Sequence, residues 1–93
     1  MTSDPQSPHL EISLIGGNCP VQAEGTINGE PFYFRARWDH WSLGVGGDPV
    51  SAPDRELTSV CEAAGWIDTF QVRQILHLAT LIHHHGLMPR AKR

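Results

Sequence analysis

The chain has 93 residues, of which 40% are hydrophobic and 18% are charged, and its formal net charge is −3. This length and composition fit one globular domain with a modest core, and no apolar stretch approaches the roughly 20 residues that a membrane-spanning helix needs. Without the three basic residues of the last four positions, the chain carries ten acidic residues against four arginines. An acidic body of this kind argues against nucleic-acid binding and favours a partner with a basic face.

The two ends of the sequence lack the hydrophobic patterning of its centre. We expect residues 1–8 to form a disordered lead, residues 9–89 a single α+β domain, and residues 90–93 a basic tail. The first residues lack the basic and apolar regions of a signal peptide, so we expect a cytoplasmic protein. Cys19 and Cys61 follow neither a metal-binding nor a disulfide-rich spacing, which favours two reduced thiols.

The first half of the chain has the period of β-strands. Residues 21–27 alternate small or apolar residues with polar ones, as a half-buried strand does. Asn28 and Gly29 are typical of a two-residue type I′ hairpin turn. This turn predicts a register in which Val21 faces Ala36 on the next strand.

The next strand, residues 30–38, has its aromatic and small residues on one face. A tight connection at Asp39 and His40 leads into another strand. The facing pairs predicted across it are Trp38 with Trp41, Ala36 with Leu43, and Phe34 with Val45. Residues 10–15 are expected to add a fourth strand, and both registers place the apolar residues on a single buried face.

The second half has the period of helices. Ser51 and Pro53 are typical of a helix start, and apolar residues spaced at three and four positions follow up to Gly65, which predicts a short helix. Asp68 and Gln71 form a predicted capping box that opens a second helix. We expect that helix to end near residue 85.

The predicted fold class is therefore α+β, with a three- to four-stranded antiparallel β-meander followed by two C-terminal α-helices packed on one face. Leu78 and Leu81 widen the apolar stripe of the second helix beyond the usual width. Either this helix is sandwiched between the sheet and the first helix, or it offers apolar surface to a partner.

Histidines near the end of the second predicted helix are the residues most typical of a metal site. Adjacent helical residues point about 100° apart. Among His77, His83, His84 and His85, only His77 and His84 share a face, and no acidic residue or cysteine lies one turn away. Imidazoles that interact with the carbonyls of the helix end are the better interpretation. We predict no metal and no cofactor.

Catalytic motifs are also missing from the sequence. Asp39, His40 and Ser42 have the residue types of a hydrolase triad, but neighbours in a tight turn point apart. The glycines at residues 16–17 and 44–47 lack the strand, helix and lysine that flank a phosphate-binding loop. We therefore predict that the protein is not an enzyme.

Two groups of polar residues are candidates for partner binding. Tyr33, Arg35 and Arg37 line the polar face of the predicted sheet, with Glu24 on the neighbouring strand. They form either a solvated face with weak cross-strand pairs or a binding hot spot, in which tyrosine and arginine are frequent. A candidate acidic patch consists of four acidic residues at predicted turn and helix positions that have no helix-capping role: Asp39, Asp48, Glu56 and Glu62.

Four stretches of the sequence carry a family resemblance: residues 18–26 (NCPVQAEGT), 29–37 (GEPFYFRAR), 41–43 (WSL) and 46–49 (GGDP). They cover about a third of the chain and look like a family of short phage and prophage proteins. Within that group the chain resembles type I anti-CRISPR proteins. The resemblance implies an inhibitor that binds a Cas protein or a subunit of the surveillance complex in the cytoplasm of a bacterial host.

The interpretation that follows is a non-enzymatic, protein-binding inhibitor of a type I CRISPR–Cas system, acting as a monomer or homodimer without direct contact to nucleic acid or membrane. It would block DNA binding or nuclease recruitment. One alternative is a small structural or regulatory phage protein that dimerises through its C-terminal helix. Another is a small enzyme that uses the histidines, which would retain zinc after purification.

Overall fold

The computed structural model describes residues 7–60 and 64–91. Within these residues the chain forms five strands, one short 3₁₀ turn and one helix. In chain order they are β1 (Leu10–Gly16), β2 (Val21–Ile27), β3 (Glu30–Arg37), β4 (His40–Val45), β5 (Arg55–Val60), the 3₁₀ turn (Ala64–Trp66) and α1 (Thr69–His84). The predicted α+β class and the antiparallel sheet are confirmed, but the numbers of strands and helices differ from the prediction.

The strands form one antiparallel sheet in the order β1-β2-β3-β4-β5, so each strand pairs with its neighbours in sequence. The predicted register between β2 and β3 is confirmed, because Val21 pairs with Ala36. The turn between these strands is made by Asn28 and Gly29, whose φ angles of 51° and 84° require residues that tolerate the left-handed region. A local sequence signal therefore fixed this hairpin.

The predicted register between β3 and β4 is wrong by two residues. Ala36 pairs with Trp41 and Phe34 with Leu43, so the turn consists of Trp38 and Asp39. A shift of two residues keeps the side chains of the paired strand residues on their predicted faces, which is why alternation alone could not distinguish the two registers. Trp38 has a φ angle of 59° in this turn and is 63% exposed, not buried as expected.

The first predicted helix is also wrong, because residues 55–60 form β5 along the open edge of β4. Leu57 pairs with Leu43 and contacts the core, whereas Glu56 and Thr58 point to the other face. A lone helix start at Ser51 cannot satisfy the unpaired backbone groups of β4, and a strand does. Glu56 is therefore a strand residue and not a helix residue.

The helix α1 covers one face of the sheet and encloses the core. Val72, Leu76 and Ala79 of α1 are fully or almost fully buried. They belong to the same cluster as the apolar residues of β2, β3 and β4, together with Ala64 and Met88. Helix α1 contacts β1 and β2, and the 3₁₀ turn contacts β2, β3 and β4.

The predicted start of this helix is confirmed. The Asp68 carboxylate accepts a hydrogen bond from the Gln71 backbone N–H at 2.8 Å, and the Gln71 side chain accepts one from the Asp68 N–H at 3.2 Å. These reciprocal bonds satisfy two backbone groups that helix geometry leaves without partners. At the other end, Gly86 has a φ angle of 71°, which suits glycine after a helix.

Of the two arrangements considered for this helix, the sandwich between the sheet and the first predicted helix is wrong, because residues 55–60 form a strand and not a covering helix. Large apolar side chains on the side of α1 away from the sheet stay exposed: Phe70 (67%), Leu78 (60%) and Leu81 (46%). Among the described residues, no helix is long and apolar enough to cross a membrane.

The C-terminal segment after α1 returns to the sheet. Arg90 forms an antiparallel bridge with Arg55, the Glu56 N–H donates to the Pro89 carbonyl at 3.0 Å, and the Ala91 N–H donates to the Asp54 carbonyl at 3.1 Å. The first part of the predicted basic tail thus protects the start of the β5 edge. Lys92 and Arg93 lie outside the described residues.

Candidate partner-binding surface

The sheet face opposite α1, which we call the outer face, carries most of the predicted binding residues. Register places its side chains in three adjacent rows across the strands. The first row contains Glu24, Tyr33, Gly44 and Glu56; the second contains Gln22, Arg35, Ser42 and Thr58; and the third contains Arg37, His40 and Val60. Strand alternation thus brings five predicted residues onto one surface: Glu24, Tyr33, Arg35, Arg37 and Glu56.

Tyr33 lies at the centre of the first row. Its hydroxyl donates a hydrogen bond to Gln22 Oε1 at 2.6 Å, which ties the ring to β2. The loop after β4 packs beside it, because a Cβ atom on Gly44 would lie 2.5 Å from the Pro49 carbonyl oxygen and 2.9 Å from Pro53 Cβ. A cavity of about 310 Å³ remains between the loop and the Tyr33 ring.

Arg35 and Arg37 are the basic residues of the outer face. Ion pairs within the described residues involve only histidines with carboxylates, so neither guanidinium forms a salt bridge there. The Arg37 guanidinium lies 5.1 Å from the centre of the Trp38 ring, in a cation–π contact. Its Nε atom is buried and has no hydrogen-bond partner among the described residues. A buried donor without an acceptor costs about 1–3 kcal/mol.

These two arginines line a cavity of about 270 Å³ with His40 and Ser42. Register explains the grouping, because Arg35 pairs with Ser42 and Arg37 with His40 on the same face. The predicted register would have placed Arg37 opposite Ser42. The arginines could therefore be identified from the sequence, but their pairing with Ser42 and His40 could not.

The predicted acidic patch is not assembled as one surface. Asp39 lies in the turn before β4, and Asp48 lies in the loop after β4, so the two carboxylates are at opposite ends of this strand. Glu56 lies on the outer face between these ends. Glu62 lies outside the described residues. Of the three members that lie within the described residues, only Glu56 is on the outer face.

Asp48 has a structural role in its loop. One of its carboxylate oxygens accepts hydrogen bonds from the backbone N–H groups of Val50 at 3.1 Å and Ser51 at 3.3 Å. Hydrogen bonding to the Ser51 side chain, followed by these backbone bonds, holds the pKa of Asp48 below its ordinary value. The residue organises the turn that places Pro49 and Pro53 over the outer face.

His83 connects the end of α1 to the first hairpin. The Asn28 side-chain NH₂ donates to His83 Nδ1 at 2.9 Å, so His83 carries its proton on Nε2 and donates it to Glu30 Oε2 at 3.0 Å. Asn28 Oδ1 accepts from the His9 N–H at 2.8 Å, which fixes the amide orientation. The expected contact of His83 with helix-end carbonyls is replaced by these side-chain contacts.

A cavity of about 490 Å³ lies beside this contact. It is lined by His83 and by charged residues of both signs: Glu30, Asp54, Arg55 and Arg90. Arg55 is held there by a hydrogen bond to the Met88 carbonyl at 3.3 Å. His84 and His85 contact each other edge to face, with ring centres 5.2 Å apart. Within the described part of the chain, no three potential ligands are grouped as a metal site requires.

The geometry therefore offers three features of different chemistry: the outer face with its two arginines, the apolar side of α1, and the charged cavity at His83. The outer face combines an aromatic ring, two guanidinium groups and flanking carboxylates on a rigid sheet, which is the composition of binding hot spots. Comparison with known proteins gave no match, either to a family model or to a curated protein or solved structure.

Proposed function

We propose that the protein is a non-enzymatic inhibitor of a type I CRISPR–Cas system that binds a Cas protein or a surveillance-complex subunit through its outer face. The observation that carries the binding part is the pair of guanidinium groups beside Tyr33, which the described residues leave without salt bridges. The resemblance of residues 18–26, 29–37, 41–43 and 46–49 supplies the class of partner. In this proposal the protein acts in the cytoplasm of the bacterial host.

Residues of the outer face would contribute to binding in two ways, through ordered side chains and through exposed charges. Tyr33 and Arg37 are half-buried and held by Gln22 and Trp38, so they lose little conformational entropy on binding. Such preorganised aromatic and arginine side chains carry much of the binding energy in typical interfaces and slow dissociation. The exposed Glu24 carboxylate beside Tyr33 would steer the encounter and make its rate sensitive to salt.

A pull-down tests this proposal. The tagged protein is incubated with lysates of bacteria that contain a type I CRISPR system, and the retained proteins are identified by mass spectrometry. We expect a Cas subunit at near-stoichiometric yield. Recovery of no Cas subunit from lysates with assembled surveillance complexes would contradict the inhibitor proposal.

A second candidate function has its own supporting observation. Phe70, Leu78 and Leu81 are exposed apolar residues on one side of α1, with the polar residues Gln74 and His77 between them. A second copy of the chain could bury these side chains in a helix–helix contact. This surface favours the alternative of a small structural or regulatory phage protein that dimerises through α1.

A further inference from the structure

Arg35 and Arg37 occupy alternate positions of β3, so their side chains leave the same face of the sheet about 6–7 Å apart. Both belong to the outer face, and the described residues provide no carboxylate in salt-bridge contact with either. The chain has a net charge of −3 and only seven Lys and Arg residues. Two neighbouring guanidinium groups without a carboxylate partner are therefore a local concentration of positive charge on an acidic protein.

The Arg37 guanidinium lies against its neighbour in the chain. It is 5.1 Å from the centre of the Trp38 ring, and Trp38 lies in the turn after β3. The Nε–H of Arg37 is buried without an acceptor among the described residues. A planar guanidinium donates through several N–H groups in a fixed fork, which matches the two oxygens of a carboxylate.

The cavity of about 270 Å³ that these arginines line has two further polar walls. Ser42 lies opposite Arg35 and brings a hydroxyl that can donate, and His40 lies opposite Arg37 and brings an imidazole. Arg35 and Arg37 on β3 and Ser42 on β4 therefore place donors around one concave site. The His40 imidazole forms the remaining wall, with its Nδ1 3.4 Å from the Asp39 carboxylate.

The surroundings of this cavity select among anions. The adjacent row carries Glu24 and Glu56, and Asp39 lies in the turn at the other end, so positive charge is confined to about two residue positions along β3. A nucleic-acid strand carries a phosphate at every nucleotide, so an unbroken row of negative charges would extend beyond the arginines and meet these carboxylates. Alternate residues of an extended segment have the same spacing as Arg35 and Arg37, so two carboxylates on such a segment would each face one guanidinium group.

We propose that the cavity formed by Arg35, Arg37, His40 and Ser42 binds the carboxylate side chains of an acidic segment of the partner protein. This inference rests on the proposed function of the outer face in protein binding. It also replaces the expectation from net charge that the partner presents a basic face, because the groups available for pairing on this face are cationic.

Titration of the isotopically labelled protein with a tetraglutamate peptide, capped at both ends, tests the proposal by NMR. We expect saturable shifts of the Arg35 and Arg37 Nε–Hε signals and of the Ser42 amide signal. A tetraglutamine peptide should leave these signals unchanged. The Arg37→Gln variant should weaken peptide binding about tenfold or more, because a charge-assisted bidentate contact is lost.

Arg73→Gln, at an exposed position of α1, is the matched control and should bind the peptide as the wild type does. If Arg37→Gln does not fold, Arg35→Gln at an exposed position of the same face replaces it. Absence of saturable shifts, or equal weakening by Arg73→Gln, would refute the proposal. Tighter binding of octathymidylate than of tetraglutamate at the same signals would assign the site to nucleic acid and refute it as well.

The peptide titration and the pull-down test separate claims, and either claim can be refuted while the other is supported. Saturable peptide binding by a protein that retains no Cas subunit would support the carboxylate site and refute the inhibitor proposal. Retention of a Cas subunit in equal amounts by wild type and Arg37→Gln would support the inhibitor and refute the use of this cavity by its partner.

Discussion

Gly44 and Asp48 determine how the loop after β4 meets the outer face. Gly44 has no side chain, so the Pro49 carbonyl and the Pro53 ring can pack against the strand where a Cβ atom would collide. Asp48 closes the turn by accepting backbone hydrogen bonds from Val50 and Ser51. Together they place a structured loop beside Tyr33 and shape one wall of the outer face.

The loop contact of Asp48 predicts how this carboxyl titrates. Because hydrogen bonds from Ser51 and then from Val50 stabilise its charged form, we expect a pKa below the ordinary 3.8. A depressed pKa means that the stabilisation by Asp48 is fully present above the unfolded-state pKa and is lost as the pH falls through the folded-state pKa. NMR titration of the side-chain carboxyl carbon measures this directly.

The Ser51→Ala variant is the companion measurement. It removes the hydroxyl that contributes most to the shift, so the pKa of Asp48 should move back toward 3.8. A pKa at or above 3.8 in the wild type, or no change in Ser51→Ala, would show that the loop does not hold Asp48 in this geometry.

Among the elements, α1 combines a buried side with an exposed apolar one. Val72, Leu76 and Ala79 complete the core, whereas Leu78 and Leu81 point away from it. A helix of 16 residues is about 24 Å long, and the contact of one such helix side is smaller than the roughly 800 Å² per partner of stable interfaces. We therefore expect self-association through α1 to be weak.

Sedimentation velocity over a range of concentrations tests this expectation. The protein should be monomeric at about 10 μM and associate only at higher concentrations. Replacement of Leu78 and Leu81 by Asp should abolish that association without unfolding the domain, because both residues are exposed. A stable dimer at low concentration that these substitutions disrupt would favour the alternative function of a dimeric phage protein.

For the molecule as a whole, the features that could be predicted correctly were those set by a few residues close together in the sequence. Asn28 and Gly29 specified a turn whose geometry few other residues tolerate, and that turn set the β2–β3 register. Asp68 and Gln71 specified the start of α1 through side-chain bonds three residues apart. Strand alternation then assigned Arg35 to the outer face without any knowledge of the fold.

The failures share a long-range cause. Residues 55–60 form a strand because the edge of β4 is available to them, and this availability is not encoded in their own spacing. The predicted register between β3 and β4 was wrong by two residues. It placed the strand side chains on the correct faces but opposite the wrong partners, so the pairing of Ser42 with Arg35 was missed. The cavity between the arginines depends on that pairing and could not be predicted from the sequence.

The affinity of the retained Cas subunit for variants of the outer face tests the central claim most directly. Tyr33→Ala combined with Arg35→Ala should weaken binding about 100-fold or more, since hot-spot residues each contribute about 2 kcal/mol or more. Arg73→Ala on the opposite side of the molecule should bind as the wild type does. Unchanged affinity in a folded Tyr33→Ala, Arg35→Ala protein would contradict the claim that the outer face is the binding surface.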